Sequence, residues 1–79
     1  MPPTKHLESL QDGLDIGHFA DAMKAKMDAS RDKGRHGWRT CSTADLWTML
    51  REHVEKGDPV DIANFCMMIY FNSKRIVQS

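Results

Sequence analysis

The tripeptide Gly57-Asp58-Pro59 restricts the fold of this chain more than any other feature. Glycine suits the left-handed position just past a helix end. Aspartate suits the N-cap of the next helix, and proline its first helical residue, where a missing N–H costs nothing. Asp61, three residues after Asp58, completes an acidic capping box. Two helices joined through so little chain must return on one another as a tight αα-hairpin. The helix before the tripeptide opens at Ser42-Thr43-Ala44-Asp45, a capping box with a shortened acid. It runs to about Lys56 and places Leu46, Trp47, Leu50 and Val54 on one stripe. The helix after it, about Pro59 to Asn72, is apolar around its circumference: Val60, Ile62 and Ala63, then Phe65 to Phe71 without a break. A helix apolar on all sides is a buried helix.

Length turns that pattern into a demand for cover. A chain of 79 residues buries only about 60% of the surface its unfolded form exposes, and two other helices hardly enclose a third. The expectation is an all-α fold of three main helices, completed by dimerisation, with Phe65, Met68 and Ile69 at the oligomer interface. The remaining main helix spans about Asp15 to Lys33, where Ile16, Phe19, Ala20, Met23 and Met27 recur at helical spacing between an Asp15 cap and a Gly34 stop. Residues 1–13, with Pro2-Pro3 and Asp12-Gly13, read as a loosely held arm. Residues 14–75 form the single helical domain, 34–42 a loop, and 76–79 a tail.

The formal net charge is zero, which removes the simplest case for a nucleic-acid coat or a polybasic membrane binder. The zero conceals segregation. Residues 24–39 hold six Lys and Arg against Asp28 and Asp32, a net of +4, and residues 45–61 hold five acids against Arg51 and Lys56, a net of −3. On the acidic hairpin, Glu52, Glu55, Asp58 and Asp61 can converge on Mg²⁺, a hard cation that takes oxygen ligands, with Asn64 one turn beyond as a further carbonyl. The structural reading is the stronger: Glu52 and Glu55 form a solvated face, and Asp58 and Asp61 are fully explained as caps. On the basic loop, Lys33, Arg35 and Arg39 around Trp38 can grip phosphate while the indole stacks; alternatively Trp38 anchors the loop on the helices.

Other chemistry finds no footing. The chain has no P-loop, no G-x-G-x-x-G and no Ser-His-Asp or Cys-His pattern. His6, His18, His36 and His53 are dispersed, and Cys41 and Cys66 match no metal-ligand spacing. Cys66 lies in an apolar run and reads as a small buried hydrophobe. No apolar stretch approaches the ~20 residues of a membrane span, and no leader pattern opens the chain. A reduced, cytoplasmic protein is the expectation.

Three stretches carry a family resemblance: Phe19 with Met23-Lys24 and Lys26; Gly34-Arg35 with Gly37-Trp38; and the run from Leu50 to Met68, most specifically Glu52-His53-Val54-Glu55-Lys56-Gly57-Asp58-Pro59-Val60-Asp61-Ile62-Ala63-Asn64-Phe65-Cys66-Met67-Met68. The chain resembles small helical proteins of phages and prophages, which are similar in turn to MazG-like all-α nucleotide pyrophosphohydrolases. The resemblance implies that Glu52 and Glu55 form one Mg²⁺-binding pair and Asp58 and Asp61 the other, in a tight helical oligomer. Two departures accompany it. Only Lys56 and Gly57 separate Glu55 from Asp58, and aspartate stands at 58 where a glutamate is usual. No fourth helix is expected after residue 75. The functional expectation is a binding protein without catalysis or a resident cofactor, a homodimer of phage type, engaging a host protein (a counter-defence role) or a nucleotide. A Mg²⁺-dependent nucleoside triphosphate pyrophosphohydrolase is the first alternative, and a nucleic-acid adaptor working through the basic loop the second.

Overall fold

The computed structural model describes residues 4–75. They form three helices and one 3-10 turn: α1 (Lys5–Asp32), the turn (Trp38–Thr40), α2 (Thr43–Lys56) and α3 (Pro59–Arg75). No strand occurs among the described residues. The α2–α3 hairpin turns as its sequence requires. Gly57 takes a left-handed φ of 79° and its N–H reaches the carbonyls of His53 and Val54. The Asp58 carboxylate accepts from the Val60 N–H at 2.9 Å and the Asp61 N–H at 3.4 Å. At the other end of α2, Ser42 Oγ accepts from the Asp45 N–H at 3.1 Å.

α1 begins ten residues earlier than Asp15. Thr4 is the N-cap, its hydroxyl oxygen accepting from the Leu7 N–H at 3.1 Å, and Glu8 sits in the first turn, where the helix dipole favours it. The segment expected as a loose arm is therefore helical from Lys5 onward; its first three residues and the 76–79 tail lie outside the described residues. Asp12-Gly13 does not interrupt the helix, because an internal glycine costs only about 1 kcal/mol. The C-terminus closes as a Schellman motif: the Arg35 N–H bonds to the Ser30 carbonyl and the Gly34 N–H to the Arg31 carbonyl, both at 2.9 Å, with Gly34 left-handed.

The core lies between α2 and α3. Leu46, Leu50, Met68 and Ile69 are buried, and Met27, Trp38, Cys41, Met49, Ile62, Phe65 and Met67 pack against them. Two expectations change here. On α2 the inward stripe is Leu46, Met49, Leu50 and His53, while Trp47 and Val54 are exposed; at ~100° per residue they lie nearly a quarter-turn from Leu46. On α3 the apolar circumference is covered on one side only. Cys66, Tyr70 and Phe71 face out, and the inward arc carries two buried amides, Asn64 and Asn72. Met68 and Ile69, expected at an oligomer interface, fill the chain's own core, and Phe65 packs there with its ring 4.6 Å from that of His53.

Candidate functional site

The four hairpin carboxylates do not assemble around an ion. Lys26 on α1 reaches across to α3, its Nζ 2.8 Å from Asp58 Oδ2 and 3.3 Å from Asp61 Oδ1. An ammonium thus stands where a shared cation would sit, and Asp58 is further committed to the start of α3. Neither Glu52 nor Glu55 forms an ion pair among the described residues. No group of three or more His, Cys, Asp or Glu side chains among them is placed to hold a metal. Asn64, expected beside the acids as a ligand, points inward instead and donates from Nδ2 to the Met23 carbonyl at 3.2 Å. This donor set does not fit Mg²⁺ coordination. The clamp shifts the groups that make it. Asp58 is held below the usual carboxylate range, chiefly by the Lys26 hydrogen bond and then by the Val60 N–H. Lys26 is raised, by Asp58 first and Asp61 second.

The basic residues, by contrast, do converge. A cleft of about 630 Å³ opens between the end of α1, the segment after it, and the facing sides of α2 and α3. That volume falls within the ~300–1,000 Å³ typical of small-molecule sites. Six cations line it, Lys26, Arg31, Lys33, Arg35, Arg39 and Lys56, against one carboxylate, Asp61. Leu46, Met49, Phe65 and Met68 supply apolar wall. His53 bonds through Nδ1 to the Met49 carbonyl at 2.8 Å; with Nδ1 as donor, Nε2 of the neutral ring is left as an acceptor.

Trp38 is the hinge of this arrangement. Asn72 donates from Nδ2 to the carbonyls of Trp38 at 2.9 Å and Cys41 at 3.1 Å, and accepts at Oδ1 from Arg75. Arg39 lies 4.4 Å and Arg75 5.4 Å from the indole centroid, within cation–π range. The indole is half-buried against the core, so it anchors the loop and holds Arg39 in place. Of the residues expected to bind phosphate, Lys33, Arg35, Trp38 and Arg39 all line the cleft. Lys26, Arg31, Lys56 and His53 were missed as members. They come from two helices, Lys26 and Arg31 from α1 and His53 and Lys56 from α2, and Lys56 sits in the segment whose net charge is negative, so no local pattern joins them. Asn72, which seats the loop, had only one signal: an amide within an otherwise apolar helix.

Comparison with known protein families, characterised proteins and solved structures finds no match to this chain.

Proposed function

We propose that this chain is a binding protein for a phosphorylated small molecule of the nucleotide class, held in the cleft between α1, α2 and α3. The observation that carries this reading is charge convergence: six Lys and Arg line one concavity, and while Lys26 and Arg31 are paired with aspartates, Lys33, Arg35, Arg39 and Lys56 form no ion pair among the described residues. Charge-assisted hydrogen bonds to phosphate are the strong ones, and the Phe65–His53 wall offers a base an apolar and aromatic surface. Concavity favours a small molecule over the host-protein partner, which would need a broad face. The phage-type and counter-defence setting rests on the resemblance alone.

Titration calorimetry at low ionic strength with nucleoside mono-, di- and triphosphates tests the proposal. Saturable binding should strengthen with phosphate number. Lys33→Ala with Arg35→Ala should weaken it by roughly tenfold or more, since hydrogen bonds to charged groups contribute about 1.5–3 kcal/mol each. Absence of saturable binding by every nucleotide overturns it. Tighter binding of a single-stranded oligonucleotide than of any mononucleotide would replace it with the adaptor reading. Pyrophosphate release that needs Mg²⁺ and is lost in Glu52→Gln would replace it with the MazG-like hydrolase. The Lys26 clamp on Asp58 and Asp61 favours binding without turnover.

A further inference from the structure

We propose that the N-terminal half of α1 is a homodimer interface, in which Leu7, Leu10 and Leu14 pack against the same residues of a second copy. Every residue from 4 to 22 is exposed. α1 meets the rest of the chain through its second half, where Met23 touches Asn64, Lys26 reaches Asp58 and Asp61, and Met27 packs on the core. The overhanging half carries its own apolar stripe. Leu7, Leu10 and Leu14 are 45%, 56% and 65% exposed, and at ~100° per residue they lie almost opposite Met23 and Met27. An exposed helical segment of this length is marginal in water, and Gly13 and Gly17 within it each cost about 1 kcal/mol relative to alanine.

Area and charge indicate a second copy as the cover. A compact monomer of 9.0 kDa exposes about 4,900 Å², whereas this chain exposes 6305 Å². Part of that excess lies on the first half of α1, where every described residue is exposed, and a standard interface takes about 800 Å² from each partner. The leucine face is also compatible with itself. Glu8, Asp12 and Asp15 fall on the far side of the helix, and Asp21, two turns past Leu14 on the leucine side, lies beyond the Leu7–Leu14 stretch. Gly13 and Gly17 flank the leucines, and nothing among the described residues comes within 4 Å of a Cβ built on either glycine. A two-fold antiparallel pairing centred near Leu10 sets Leu7 of each copy against Leu14 of the other, with no like charges opposed. A lipid surface suits this segment poorly, since Glu8, Asp12, Asp15 and Asp21 outweigh Lys5 and anionic headgroups attract basic helices. The other exposed aromatic pair, Tyr70 and Phe71, is roofed by Lys74 at 4.5 Å and Arg75 at 6.0 Å.

Sedimentation equilibrium of the full chain at micromolar concentration reads the outcome. The expected mass is twice the 9.0 kDa of one chain. Leu10→Glu should weaken dimerisation by at least roughly tenfold, as for a central interface residue, and far-ultraviolet circular dichroism should show that residues of the hairpin remain helical. A monomeric parent chain overturns the proposal. So does a dimer that Leu10→Glu leaves intact while Tyr70→Glu dissociates it, because the interface would then lie on α3.

Discussion

Asn64 and Asn72 lie two turns apart on the inner side of α3 and differ in how fully they are bonded. Asn72 is 6% exposed, with its amide donating to two loop carbonyls and its oxygen accepting from Arg75. Asn64 is 4% exposed and donates to Met23, but its Oδ1 has no partner among the described residues. Without the Asn72 amide the Trp38 carbonyl keeps the Cys41 N–H, but the Cys41 carbonyl loses its partner, at a cost of about 1–3 kcal/mol. Replacing the half-satisfied Asn64 amide with an apolar group of similar volume instead removes an unpaired oxygen and costs less. Asn72→Ala should therefore lower the thermal midpoint and red-shift Trp38 emission, read in a Trp47→Phe background, while Asn64→Leu should change the midpoint little. A second test concerns Asp58. Its carboxyl titrates below the ordinary range in the folded chain because Lys26 and the Val60 N–H favour its charged form. The stability it contributes is thus fully present above the unfolded aspartate pKa of about 3.9 and is lost as pH falls through the lower folded value. Asp58→Asn keeps a capping side chain but loses the ion pair. Its thermal midpoint should fall below that of the parent near neutrality and converge with it in acid. Asp58's capping role was legible in the sequence; its Lys26 partner was not, because 32 residues separate them.

At the scale of the element, ends were easier to read than faces. Gly57-Asp58-Pro59 and Ser42 do locally what their chemistry dictates, since each cap needs only atoms within a few residues. Gly57→Ala, placing a Cβ at φ 79°, should destabilise the hairpin by about 1–2 kcal/mol, measured as a lower urea midpoint at unchanged slope. α1 was misplaced at its start because Asp15 and Thr4 are both competent caps, and the continuous helix from Lys5 uses the earlier one. Its two apolar stripes, on nearly opposite faces, blur any single periodicity across its 28 residues. α3 is apolar on every side, so its pattern cannot say which arc turns inward. Asn64 and Asn72 mark that arc only once their carbonyl partners on other segments are known.

For the whole molecule, the Cα radius of gyration is 15.5 Å and the extents are 50 × 30 × 23 Å, against about 12 Å expected for a compact chain of this length. The first half of α1, exposed along its whole length, contributes to this departure. The charge pattern also acquires its meaning at this scale. Cations from the end of α1, the following segment and the end of α2 meet in one cleft, and Lys26 neutralises the two aspartates that open α3. Nucleotide affinity should consequently fall steeply as salt rises, because exposed charges are screened within about 8 Å at physiological ionic strength; calorimetry across a salt series checks this, and a flat profile would count against a charge-driven site. The sequence by itself determined the all-helical class, the hairpin and its caps, and the opposition between a basic and an acidic segment, since these depend on periodicity and on contacts a few residues apart. Only the tertiary structure decided which side of α3 is core, that Lys26 closes the acidic pair, and that cations of α1, α2 and the segment between them share a cleft, because those outcomes depend on how α1 crosses the hairpin, and no local pattern encodes that angle.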